Sequence, residues 1–258
     1  MLDMNQIESF YPVQLRMFKK NLLREYLQYK ILEIIFDSNF GEKLSFMGGT
    51  AIRIVHGNDR FSEDLDFDNF GLTERDFEKI TILVKKKLEL EGYVVEIRNV
   101  FKRAYRCYLK IPGILYRNEL SSHREEKMSI RLDTEPQGFT YSPGKVIINK
   151  FEVFSRINMT PINVLLSQKI YTIFNRKRPM GRDFYDAVFL SGKTKPNLDY
   201  LKLKMKIDGM SDLKNKLMAK CKKFDFKRLA EEVEPFLISP HNSKKVLYFY
   251  DYIKGMPV

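Results

Sequence analysis

Between residues 12 and 37 the apolar positions recur every three or four residues: Phe18, Leu22, Leu23, Tyr26, Leu27, Ile31, Ile34 and Ile35. That period predicts one helix over "PVQLRMFKKNLLREYLQYKILEIIFD". A short apolar run, "LSFM" at 44–47, then stops at Gly48-Gly49, as a buried strand entering a tight turn does. "TAIRIVHG" reads as a short helix ending at Gly57, and "EDLDFD" as a second strand. "LTERDFEKITILVKKKLELEGY" is an amphipathic helix opened by a Thr73/Asp76 capping box, with Asp in place of the usual Glu, and stopped at Gly92. Strand-like runs follow at 93–100, 103–111 and 127–134, joined by a loop with Pro112 and Gly113 and a polar segment at 117–126. Residues 136–150 read as loop and short strand. From Thr160 the pattern turns helical. Thr160 as N-cap and Pro161 as first helical residue open "TPINVLLSQKIYTIFNR", and Gly, Pro and Asn breaks divide the rest into further helices. The chain is therefore expected to be α+β. A mixed sheet flanked by helices spans 1–155, and a helical region spans 156–258.

Composition narrows the chemistry. No stretch approaches the ~20 consecutive apolar residues of a membrane span. "MLDMNQIESF" lacks the basic start and apolar run of a signal peptide. The two cysteines, Cys107 and Cys221, are far apart and sit in no paired motif, which fits a reducing cytoplasm and argues against a structural zinc site. Only three histidines occur, His56, His123 and His241, so histidine-rich metal chemistry is not expected. The net charge is +12, and residues 193–228 alone carry twelve Lys/Arg against four Asp. A balance of that kind favours polyanionic partners, nucleic acid or nucleotides.

Side chains alternate faces along a strand, so Asp64 and Asp66 share one face and Leu65 and Phe67 the other. Two carboxylates that close repel unless a cation compensates them. Mg²⁺, which takes a few carboxylates plus substrate phosphates, is an economical compensator. In "EKMSIRLDTE" the apolar set Met128, Ile130 and Leu132 alternates with Ser129, Arg131 and Asp133. If that strand neighbours 64–67, Asp133 completes a triad, with Glu135, of the same parity, as its rival. A strand, then Gly48-Gly49-Thr50, then a helix offers free backbone N–H groups to a phosphate.

Further on, Ile162, Leu165, Leu166, Ile170 and Ile173 form one helical stripe, and Lys169 falls near its centre. An ammonium there either snorkels to the rim or reaches nucleotide phosphates. Asp183 and Asp186 sit three apart on a nearly all-apolar helix and so share a face. Arg182, Arg60 or Arg53 would pair them in a structural network; alternatively Asp183 holds Lys169 in place.

Taken in order, "MGGT", "DLDF" and "RLDT" resemble the signature of nucleotidyltransferases with the DNA polymerase β-like fold. The chain resembles more closely the AbiEii/AbiGii-type toxins, which include the MenT-like enzymes. The matching segments are "GGTAIR" at 48–53, "RFSEDLDF" at 60–67, Lys169 in "LLSQKIYTIFNRK" and "RDFYD" at 182–186. One departure from the wider superfamily is Gly49, where many members carry serine; Thr50 is the alternative source of that hydroxyl.

The resemblance implies a nucleotidyltransferase domain over 1–155 and a helical domain over 156–258 that completes the site and contacts the acceptor. It implies metal at Asp64, Asp66 and Asp133, with Mg²⁺ or Mn²⁺ as cofactor. It implies an NTP held by Gly48, Gly49, Thr50, Arg53, Arg60, Ser62 and Lys169, and catalytic roles for Asp64, Asp66, Asp133, Lys169 and Asp183. Ser62 and Glu63 also shape the turn into the strand. The acceptor it implies is RNA, tRNA above all, and the setting is a toxin–antitoxin or phage-defence pair with a cognate antitoxin. Two alternatives stand beside it: transfer to a protein hydroxyl, and a non-enzymatic RNA-binding module on the same scaffold. The basic segment favours RNA over protein, and the intact carboxylates favour an enzyme.

Overall fold

A computed structural model describes residues 1–257. The chain divides into two compact units. The first comprises Met1–His56, Ser62–Gly138 and Pro143–Thr160; the second comprises Gly57–Phe61, Phe139–Ser142 and the chain from Pro161 onward.

The first unit holds the sheet. Its elements are α1 (Met4–Ser9), α2 (Lys19–Phe36), β1 (Leu44–Met47), α3 (Gly48–His56), β2 (Leu65–Asn69), α4 (Glu74–Leu90), β3 (Glu96–Phe101), β4 (Tyr105–Pro112), α5 (Ile114–Arg117), β5 (Lys127–Glu135), β6 (Gly144–Lys150) and β7 (Val153–Met159). The strand order is β3-β4-β5-β2-β1-β7-β6. β2 runs parallel to β5, and β1 parallel to β7, while β1 and β2 are antiparallel. The sheet is thus mixed, as expected for this half of the chain. The Thr73/Asp76 capping box of α4 is present with both of its hydrogen bonds.

Three local expectations need correction. The helix expected from residue 12 begins as a 3₁₀ turn, Val13–Phe18, and becomes α-helical only at Lys19. No strand is expected from the pattern over 153–159, yet β7 lies there, beside β1 in the sheet. Thr160 is not the N-cap of the following helix. Its backbone N–H donates to Phe46 O at 3.0 Å and its hydroxyl lies 3.0 Å from Ser45 Oγ, so the chain is still extended there and Pro161 takes the cap position.

α2 is buried beyond its apolar stripe, and its buried charges have partners. Glu25 accepts from Tyr11 Oη at 2.8 Å and pairs with Arg53 Nε and Lys150 Nζ, both at 2.9 Å. Burial pushes the Glu25 carboxyl up, but Arg53 and Lys150 outweigh it and hold it below the usual carboxylate range. Lys30 pairs with Glu91 and Glu152, each at 2.9 Å. These pairs satisfy charges that would be costly to bury alone.

The second unit is helical: α6 (Ile162–Asn175), α7 (Gly181–Ser191), α8 (Leu198–Met205), α9 (Met210–Cys221), α10 (Phe226–Val233), α11 (Lys244–Leu247) and α12 (Phe249–Gly255). α6 packs on α7 and α8, α7 on α10 and α11, and α9 on α12. Phe184 anchors the α7 packing, its ring 4.9–5.7 Å from those of Phe224, Phe226 and Phe249. Among the described residues no helix is long and apolar enough to cross a membrane.

Candidate active site

In the first unit the carboxylates gather where β2 meets its neighbours. Leu65 and Phe67 are fully buried in the core, which turns Asp66 to the other face. The β2–β5 ladder pairs Asp66 with Asp133 and Asp68 with Glu135. Of the two rival carboxylates, then, Asp133 is the one beside Asp66, and Glu135 pairs with Arg103 at 3.0 Å. On the other side of β2, Met47 is the partner of Asp66, so the glycine turn begins next to that carboxylate.

The turn needs its first glycine twice over. Gly48 has φ +79°, a left-handed conformation that side chains disfavour. A Cβ on Gly48 would also lie 2.1 Å from Asp66 Oδ2 and 2.9 Å from Asp66 Cβ. The Thr50 hydroxyl, at the start of α3, donates to the carbonyl of Asp64. It therefore ties α3 to the chain entering β2.

Two arginines face the cluster. Arg131 Nη2 is 2.6 Å from Asp64 Oδ2 and its Nε 2.9 Å from Asp133 Oδ2. Arg106 Nε is 2.7 Å from Asp133 Oδ1. Neither arginine is a site candidate from the sequence. Arg131 shares the parity of Asp133 and is legible as a neighbour, but its pairing with Asp64 depends on strand register. Arg106 faces Asp133 only through the β4–β5 pairing, and nothing local signals that. Asp68, on the face of Asp66, is a further carboxylate the motifs do not single out; it is buried, and its Oδ1 accepts from the backbone N–H of Gln137 at 2.9 Å.

The donor chemistry and register suit a hard divalent cation, because three carboxylates on adjacent segments supply the oxygen ligands such an ion takes. The side-chain positions do not yet enclose one. Among the described residues no three His, Cys, Asp or Glu side chains converge as a metal-holding group. Asp64 and Asp133 are instead drawn to Arg131.

Other candidates in this unit are held structurally. Arg53 pairs with Glu25 and fastens α3 to α2. The Ser62 carbonyl accepts from Gln28 Nε2 at 3.0 Å, and Glu63 pairs with Arg24 at 3.2 Å, consistent with a role in shaping the turn. His56 ends α3, and His123 lies in an exposed turn.

In the second unit Lys169 meets both aspartates of α7. Its Nζ lies 2.9 Å from Asp186 Oδ2 and 3.4 Å from Asp183 Oδ1. It does not snorkel. Asp183 also pairs with Arg176 Nη1 at 2.5 Å. Asp186 takes both Nε and Nη2 of Arg60, at 3.0 and 2.9 Å, and Asn58 Nδ2 at 2.8 Å. Burial pushes the Asp186 carboxyl up, but Arg60 and Lys169 outweigh it and keep it below its ordinary value. Arg60 is itself 1% exposed. Of the three arginines that could pair these aspartates, Arg60 takes the role; the unforeseen one is Arg176.

The basic segment is less uniform than its composition. Lys202 pairs with Asp208, Lys216 with Asp212, and Lys214 donates to the carbonyl of Met256. Lys222, Lys223, Lys227 and Arg228 are exposed around the α9–α10 junction.

A family model described as the nucleotidyl transferase AbiEii toxin of a type IV toxin–antitoxin system matches residues 30–240. No curated protein matches the chain at a significant level. Among solved structures, the chain is similar to JHP933 from Helicobacter pylori, with 16% identity, 91% of each chain covered and a TM-score of 0.55. It is also similar to a protein provisionally assigned as a nucleotidyltransferase from H. pylori. There the identity is 17%, the coverage 91% of this chain and 94% of the other, and the TM-score 0.58. At these identities the likeness is one of fold.

Proposed function

Since the chain belongs to the AbiEii family of nucleotidyltransferase toxins, we propose that it transfers a nucleotide from an NTP to a hydroxyl of RNA, with tRNA as the first candidate, using Mg²⁺ or Mn²⁺. The observation that carries this reading is the register of Asp66 with Asp133 beside a glycine that leaves room for the Asp66 carboxylate.

In this reading Asp64, Asp66 and Asp133 hold the cation. When bound, such an ion neutralises charge on the triphosphate and stabilises both attack at the α-phosphate and departure of pyrophosphate. Gly48 keeps the backbone close to Asp66, and the N–H groups at the start of α3 face the phosphates. Thr50 fixes that turn rather than offering its hydroxyl outward, because its proton already serves the Asp64 carbonyl. Asp133 assists removal of the acceptor proton. In the second unit Lys169 supplies a cation to the nucleotide, with Asp183 as its positioning partner. Arg60 and Arg53 support the site through Asp186 and Glu25. The exposed Lys222, Lys223, Lys227 and Arg228 take RNA phosphates. A cognate antitoxin opposes the activity in the cell, and the setting is cytoplasmic, with phage defence as its role.

The acceptor is tested by incubating the protein with each labelled NTP, Mg²⁺, total tRNA and cell lysate protein. Label on RNA supports the proposal. Label on protein would move the acceptor to a protein hydroxyl, and label on neither, with every NTP and with Mn²⁺ substituted, would overturn it.

A further inference from the structure

Arg131 lies across the very carboxylates that the proposed function gives to a divalent cation. Asp64 precedes β2 and Asp133 lies on β5, and one guanidinium bridges them at 2.6 and 2.9 Å. Bridging oxygen ligands from two chain segments is also what a bound metal would do. Arg106 occupies the other oxygen of Asp133 at 2.7 Å. Three carboxylates thus face two guanidinium groups. The charge that would attract a cation is largely cancelled from within the protein.

A guanidinium and a divalent cation compete for the same carboxylate oxygens, and at such range like charges repel. Which of them yields follows from the surroundings. The Arg131 side chain is about a third exposed, at 34%. It projects from β5 on the face opposite the buried Ile130 and Leu132, so its departure removes nothing from the core. Long, partly exposed side chains reorient at little cost.

We propose that Arg131 is an exchangeable internal counter-ion. It holds Asp64 and Asp133 together in the metal-free protein and leaves them when the divalent cation enters, so its presence weakens the affinity of the site for that ion. Arg106, which pairs with Asp133, does the same to a smaller degree. The inference rests on the reading of Asp64, Asp66 and Asp133 as the cation site.

The test is a titration of the metal-free full-length protein with Mn²⁺, following free Mn²⁺ by electron paramagnetic resonance without any nucleotide. Arg131→Ala is expected to bind Mn²⁺ about tenfold more tightly than wild type, by removal of one adjacent positive charge. Arg131→Gln, which keeps bulk and hydrogen-bonding capacity, is expected to shift in the same direction and serves if the alanine variant folds poorly. Arg106→Ala should tighten binding less. Asp66→Asn should lose it. If both Arg131 variants bind as wild type or more weakly while Asp66→Asn still loses binding, the counter-ion role is wrong and the cation site stands. If Asp66→Asn binds Mn²⁺ like wild type, the site assignment itself is wrong.

Discussion

Asp186 and Asp133 each pair with two cationic side chains, yet the two sets differ in how firmly they are closed. The Asp186 side chain is 0% exposed, and its partners Arg60 and Lys169 are 2% and 14% exposed. The Asp133 side chain is 18% exposed, with Arg106 and Arg131 at 38% and 34%. Breaking a buried pair strands an uncompensated charge, whereas a partly exposed pair can trade its partner for water or an ion. The same residue types therefore do two jobs. The buried Asp186–Arg60 pair fixes a fold, and the Asp133 set stands ready for exchange. An aspartate paired with arginine is not in itself a sign of either role; the exposure of the arginine decides.

The largest expected difference is in stability. Asp186→Asn should destabilise by about 3–5 kcal/mol, because Arg60 would stay buried without its carboxylate. Asp133→Asn should change stability by less than about 1 kcal/mol. Urea unfolding measures both, and equal losses would erase the distinction between the two sets. The same contrast has a pH signature. Asp186 titrates below its unfolded value, so its contribution is complete above that value, about 4, and is lost as pH falls through the folded pKa. Unfolding midpoints collected on the acid side should therefore fall less steeply for Asp186→Asn than for wild type. Glu25, also held below the ordinary range, keeps some acid sensitivity in both.

A smaller effect is expected at the turn. Gly48→Ala adds a Cβ in a left-handed conformation and against Asp66, at a cost of about 1–2 kcal/mol. Transfer should fall further than stability does, because the displaced atom belongs to a proposed metal ligand. Thermal melts and turnover on the same preparation would show this; a variant with full turnover would separate Gly48 from the chemistry.

The smallest expected effect on the fold is at the exposed basic junction. Changing Lys222, Lys223, Lys227 and Arg228 to Gln should leave stability within about 0.5 kcal/mol. It should weaken RNA binding and flatten the slope of log K against log salt by roughly 0.7 for each phosphate no longer neutralised, the single-strand value. An unchanged slope in a salt titration would remove RNA docking from this surface.

What can be read from the sequence is what is local. A period of two marks Asp64 and Asp66 as same-side positions and puts Asp133 on the polar face of β5, because alternation needs no knowledge of partners; that β2 begins only at Leu65, leaving Asp64 just ahead of it, is not legible. The choice between Asp133 and Glu135 needs the β2–β5 register, which joins segments about sixty residues apart and leaves no local mark. Arg60 and Asp186 are separated by 126 positions, so only a set of possible arginines is legible. β7 escapes because two of its buried residues, one on each face, are polar. Ser155 bonds Asp37 at 2.7 Å, and Asn158 donates to the Gly41 and Leu44 carbonyls. Polar residues satisfied inside a sheet blur the apolar alternation that announces a strand. Thr160 misleads for a related reason. Thr-Pro before an apolar run has the form of a helix start, while the pairing with β1 that keeps Thr160 extended comes from a distant part of the chain.

The proposed chemistry turns on whether the exchangeable carboxylates carry it. The direct measurement is the rate of label transfer from NTP to tRNA by Asp66→Asn against wild type, at saturating Mg²⁺ and with equal unfolding midpoints established first. A fall of at least about a hundredfold is expected with the fold intact, since metal stabilisation supplies several kcal/mol of the barrier. Transfer by Asp66→Asn at the wild-type rate would contradict the assignment.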